Sequence, residues 1–214
     1  MALTIGTKWR KTGGVLALFN DRDTIVFEDS NISFNMLVSL DITSFGHDET
    51  TLDITVRDLV DSTDNSLHEQ IYVSLKYESP ARLFKKNSSG VITLLATSSD
   101  TTTNGTYEVQ LVDNVYKLYY NAVEIISYTD TVFSPPANII NKSIIVEGYN
   151  TGPSVLAIDN FIVNNLTASE IQSTVTDACA SATHLGYLQP SIELATGLID
   201  LNNDGVSDLS LIHI

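Results

Sequence analysis

The sequence predicts an all-β protein. Three observations carry the prediction. Apolar residues recur at every second position in many short stretches, most regularly over 32–42 and 105–128. Clusters of Asn, Asp, Ser and Gly separate those stretches. Charged residues make up only 17% of the chain, while Ser, Thr and Asn are plentiful, a mixture that suits sheet surfaces better than helices.

Lys8-Trp9-Arg10-Lys11 reads as a lead-in, with Trp9 capping the edge of the core. Val15 to Phe19 is an apolar run fit for a buried strand, Asn20 to Asp23 a turn cluster, and Thr24 to Glu28 a short strand. Over 31–42, Ile32, Phe34, Met36, Val38 and Leu40 share one face. His47-Asp48-Glu49 lies in a polar loop; a metal site and a solvated loop both fit, the loop being the plainer reading. Leu52, Ile54 and Val56, then Ile71, Val73, Leu75 and Tyr77, mark two more strands. Residues 81–85 and 91–96 form a hairpin through Asn87-Ser88-Ser89-Gly90.

From 105 to 128 three strands follow one another. Tyr107, Val109 and Leu111 alternate with Glu108 and Gln110. Asp113-Asn114 turns the chain, Leu118 and Tyr120 share a face, and Asn121-Ala122 turns it again. Such a meander has one apolar face and needs a second layer to cover it. Pro135-Pro136 excludes a central strand there. Residues 139–147 and 155–164 are strands, with a loop over 148–153 between them. Thr167-Ala-Ser-Glu170 is a capping box, and Ile171, Val175, Ala178, Cys179 and Ala182 recur at helical spacing, so one short helix closes the series. Cys179 sits on its apolar stripe as a buried thiol. Many short strands with turn clusters imply a sandwich or a closed barrel.

The 214 residues suffice for one sizeable core without staples. A net charge of −15 disfavours nucleic acid and anionic membranes as partners. It is compatible with calcium, with neutral sugars, or with plain solubility. The one cysteine excludes an internal disulfide. No stretch has the length and apolarity of a membrane-spanning helix, and the first residues do not form a signal peptide. The apolar, uncapped end at Ile214 leads us to expect a longer chain with further domains.

Two segments resemble the laminin G-like, concanavalin A-like jelly rolls. Tyr116-Lys-Leu-Tyr-Tyr-Asn-Ala-Val-Glu-Ile125 is similar to that family's strand–turn–strand motif, with Ala122 where the family usually has Gly. If that turn is type I′, Ala122 sits at positive φ at a cost of about 1–2 kcal/mol. Ala157-Ile-Asp-Asn-Phe-Ile-Val163 followed by Leu166-Thr-Ala-Ser-Glu-Ile171 is similar to its closing strand and helix start. The resemblance implies a two-sheet antiparallel jelly-roll sandwich over 13–182, with residues 183–214 as linker and tail. It also implies binding of a glycan or glycoprotein as an adhesion module at a cell surface or outside the cell. Tyr149 and Asn150, in the expected 148–153 loop, are the candidate contacts, because aromatic faces stack on sugar rings and Asn bonds hydroxyls; an ordinary loop is the plainer reading. A structural module of a phage particle or surface appendage is the alternative.

Glucanases of the same fold carry a Glu-x-Asp-x-x-Glu strand, and retaining hydrolysis needs two carboxyl groups about 5–5.5 Å apart. The sequence has no such strand, and its four His residues are scattered, so catalysis is not expected. The sharpest chemical motif is Asp200-Leu-Asn-Asn-Asp-Gly-Val-Ser-Asp208. Asp200, Asn202, Asp204 and Asp208 place oxygens at the first, third, fifth and ninth positions; Val206 offers its carbonyl at the seventh and Gly205 allows the sharp turn. Leu211 at the twelfth position excludes a full EF-hand. The pattern resembles thrombospondin type 3 and dockerin-like segments, which implies calcium; a solvated acidic turn also fits.

Overall fold

The computed structural model describes residues 2–12, 14–28, 32–46, 49–132 and 134–166. The expected helix after Thr167, Cys179 and the whole Asp200–Asp208 motif lie outside the described residues, as do His47 and Asp48. The first of two compact units ends at Leu166.

Thirteen strands occupy the described residues. They are β1 (Ala2–Ile5), β2 (Trp9–Thr12), β3 (Val15–Glu28), β4 (Met36–Phe45), β5 (Thr51–Asp61), β6 (Leu67–Lys76) and β7 (Pro80–Asn87). Then come β8 (Ile92–Thr101), β9 (Gly105–Val112), β10 (Val115–Tyr120), β11 (Val123–Thr129), β12 (Ile139–Asn141) and β13 (Ser143–Asn165). All pairings between them are antiparallel.

Two long strands run through both layers. The first half of β13 (residues 143–150) pairs with residues 21–28 of β3 and with β5. Its second half (155–165) pairs with residues 16–19 of β3 and with β4. The register breaks between Asn150 and Val155, where the chain passes from one sheet to the other. The first sheet therefore runs β1–β3–β13–β5–β6–β7–β8, and the second β2–β3–β13–β4–β9–β10–β11. This is the two-sheet antiparallel sandwich that the alternation and the resemblance implied.

The core lies between the inner faces. Met36, Val38, Leu40 and Ile42 on β4, with Tyr107, Val109 and Leu111 on β9, come from the second sheet. Leu52, Ile54 and Val56 on β5, with Ile71, Val73 and Leu75 on β6, come from the first. Strict alternation makes these positions inward by the pleat alone. The hairpin of β7 and β8 turns where expected: the Asn87 side chain accepts from the backbone N–H of Ser89 and Val91, and Gly90 has φ 79°.

Three sequence expectations change. Asn20 to Asp23 is mid-strand rather than a turn, and 148–153 belongs to β13 rather than to a loop. The sheet also starts before Gly13, since Trp9 is buried and pairs with Leu18. The polar run over 21–23 survives within a ladder because its side chains are satisfied outside the core. Lys8 pairs with Asp21, and Asp23 accepts from the backbone N–H of Lys8 and Thr24.

One end of the sandwich is closed by a buried cation. A bulge between Thr55 and Arg57 turns Arg57 inward, fully buried. Its guanidinium donates to the hydroxyl of Tyr116 and to the carbonyls of Asp113 (2.6 Å) and Phe34 (3.4 Å), and lies 4.8 Å from the Tyr116 ring centre. Nearby, Lys85 bridges Glu69 and Asp130.

Candidate ligand-binding face

The outer face of the first sheet is built from the residues that alternate with the core. Cross-strand register orders them in rows. One row runs Arg22, Tyr149, Thr51, Lys76. The next runs Thr24, Glu147, Asp53, Ser74, Arg82, Thr97. The third runs Val26, Ile145, Thr55, Tyr72, Phe84, Leu94. A polar row thus lies beside an apolar, aromatic one.

At one end of the rows, Arg22, Thr51, Asp53, Glu147 and Tyr149 line a cavity of about 300 Å³. Arg22 Nε donates to Glu147 Oε1 at 2.5 Å, and this bond raises the guanidinium pKa further. Glu147 and Asp53 are direct cross-strand partners, so their Cβ atoms are about 4.5–5.5 Å apart. Burial pushes the Asp53 carboxyl above its ordinary range; a hydrogen bond with Ser74 opposes this and the Glu147 charge adds to it. One Asp53 oxygen is buried without a hydrogen-bond partner among the described residues. Farther along, Tyr72 and Phe84 stack with centroids 5.3 Å apart.

The two candidate contacts part company here. Tyr149 is 42% exposed and sits beside Arg22 at the cavity rim. Asn150 is fully buried: its amide donates to the Leu18 carbonyl at 3.0 Å, and Thr50 Oγ1 donates to its side-chain oxygen at 3.3 Å. Asn150 therefore holds the crossing of β13 between sheets and is not presented to a ligand. Its neighbour points outward because successive strand residues face opposite ways. Glu49 accepts from Thr151 Oγ1 at 2.7 Å. Among the described residues no group of three or more His, Cys, Asp or Glu could hold a metal ion.

Sequence reading missed Arg22, Asp53, Glu147, Tyr72 and Phe84. Each belongs to a different stretch, and only the register of β3, β13, β5, β6 and β7 brings them together. The available signal was the polar or aromatic residue between buried neighbours, as at Asp53 between Leu52 and Ile54.

No protein-family model and no curated protein matches the chain. Solved structures do. The carbohydrate-binding module CBM66 from Bacillus subtilis superposes with a TM-score of 0.53 at 14% identity, over 76% of this chain and 95% of that one. A Bacillus subtilis protein of unknown function with a galectin-like fold gives 0.54 at 14%, over 77% and 88%. A structure described among endo-acting O-glycanases of the human gut microbiota that initiate mucin breakdown gives 0.54 at 12%, over 75% and 83%. At these identities the shared property is the fold.

Proposed function

We propose that this chain is a carbohydrate-binding module, and that the glycan lies on the outer face of the first sheet. The observation that carries the reading is the polar row of Glu147, Asp53 and Ser74 beside the aromatic row of Tyr72 and Phe84, with Tyr149 at the rim. Charged and amide groups bond sugar hydroxyls, and an aromatic side chain contributes large apolar contact with little rotamer freedom to lose. The fold shared with a carbohydrate-binding module supports the same reading. The test is a glycan array, followed by calorimetry on the best glycan. Tyr149→Ala should weaken binding about tenfold or more, a loss of about 1.4 kcal/mol. No glycan bound by the intact chain would remove the reading.

We place the module in a larger extracellular or surface protein, with residues 200–208 as a calcium-binding segment after it. Calcium titration of the full chain tests this segment: Asp204→Ala should abolish an uptake that the parent shows, whereas a parent that takes up no calcium makes the segment a plain acidic turn.

The register of Asp53 opposite Glu147 favours a second reading, glycoside hydrolysis, with Asp53 as acid and Glu147 as nucleophile. New reducing ends from the bound glycan, abolished by Glu147→Gln, would support it. Binding without cleavage would exclude it.

A further inference from the structure

The far end of the same face has a different character. On β7, Arg82, Phe84 and Lys86 point outward, alternating with buried Ala81 and Leu83 and half-buried Lys85. Arg82 and Lys86 therefore flank the Phe84 ring, each roughly 6.6–6.8 Å away along the strand. Tyr72 stacks on that ring from one side, and Leu94, 51% exposed, adjoins it on the other.

These cations have no acidic partners among the described residues. Lys8, Arg22, Lys85 and Lys117 are in ion pairs there. Among the described residues Arg82 and Lys86 are thus unneutralised, in a chain whose net charge is −15. The nearest carboxylates on the face, Asp53 and Asp58, are on β5, two strands or roughly 9.5 Å from β7. Asp58 is also occupied, accepting from Gln70 Nε2 at 2.9 Å and from Ser143 Oγ at 2.6 Å. An anion over Phe84 would therefore lie about two strands from the nearest of these carboxylates.

We propose that the Arg82–Phe84–Lys86 stripe selects a carboxylated glycan, with the sugar's apolar side on the patch that Tyr72, Phe84 and Leu94 form and its carboxylate groups on the two cations. This rests on the glycan-binding reading and names the class of sugar. Arg suits the role because its planar fork meets a carboxylate with two parallel bonds. The sparse charge matters too. Two cations match a uronate chain, with at most one carboxylate per sugar. They do not match nucleic acid, at about one charge per 1.7 Å of duplex, which the net charge of the chain repels.

The experiment measures binding of the full chain to hyaluronan, polygalacturonate, dextran sulfate and neutral dextran. Binding to a carboxylated polymer is expected, weakening as salt rises. Arg82→Ala with Lys86→Ala should weaken it about tenfold or more at unchanged melting temperature. Lys117→Ala, on the outer face of the second sheet and paired there with Glu124 at 2.8 Å, should leave it unchanged. The proposal falls if the double variant binds carboxylated polymers like the parent, or if dextran sulfate alone is bound. It also falls if only neutral glycans are bound, in which case the binding reading stands. If no glycan of any kind is bound, both fall.

Discussion

The indole of Trp9 fills the space that a side chain at Gly148 would need. A Cβ on Gly148 would lie 2.6 Å from Trp9 Cζ2, 2.9 Å from Leu18 Cδ2 and 3.0 Å from Leu156 Cδ2. β2 thereby plugs into the core beside β13, one of the two strands common to both sheets. Gly148→Ala should cost about 1–3 kcal/mol through overpacking, and Trp9→Ala about 3–5 kcal/mol through the cavity it leaves. Urea denaturation checks both. A Gly148→Ala protein as stable as the parent would mean that the indole swings aside.

The turn between β10 and β11 carries a conformational cost that one substitution removes. Asn121 and Ala122 have φ of 48° and 65°, and Tyr120 pairs directly with Val123, so the connection is a two-residue turn with positive φ at both positions. Ala122→Gly relieves the left-handed strain at some cost in chain entropy. The expected net is a gain of about 0.5–1 kcal/mol in unfolding free energy, read from the urea midpoint at unchanged slope.

Arg57 separates charge from packing. Arg57→Ala removes the fully buried guanidinium from Tyr116, Phe34 and the Asp113 carbonyl. The expected loss is on the order of 3 kcal/mol. Arg57→Met keeps most of the volume without the burial cost of an ion and should stay within about 1–2 kcal/mol of the parent. If Met is as damaging as Ala, the hydrogen bonds to the loops at 34 and 113 outweigh the packing. Thermal unfolding of the three proteins decides.

Asp53 makes stability depend on pH in a defined direction. Burial raises its carboxyl above the ordinary value of 3.8, with Ser74 opposing and Glu147 assisting. The folded state therefore holds this proton more tightly than the unfolded chain does. Its stabilising contribution is complete below the ordinary value and is lost as pH rises through the raised one. Asp53→Asn should accordingly stabilise the protein at pH 7, and the gain should vanish below about pH 4. A gain that is constant across this range would point to some cause other than ionisation.

The fold was legible where the pattern lies within one strand. Met36 to Ile42, Leu52 to Val56 and Ile71 to Leu75 alternate so regularly that the inner face follows from the pleat. The two crossings were not legible. Asn20–Asp23 and 148–153 carry polar residues, Gly and Pro, which favour turns locally, yet each segment finds its ladder in the other, more than a hundred residues away. The candidate face was hidden for the same reason. Arg22, Asp53 and Glu147 are ordinary surface charges until register places them together. Tyr149 was legible as an exposed aromatic. Asn150 was not legible as a buried tie, because its partners Leu18 and Thr50 lie far away in sequence.

The sharing of β13 between both layers has a consequence for synthesis. β3, β4 and β5 each lean on a strand that begins at residue 143, so neither sheet has its centre until nearly the whole domain has left the ribosome. Until then the nascent chain holds two unfinished half-layers with open edges, the species most prone to pair with neighbours. Folding should therefore be late and slow, as non-local pairing dictates. A chain halted before Ser143 should aggregate, while one halted just past Asn165 should fold.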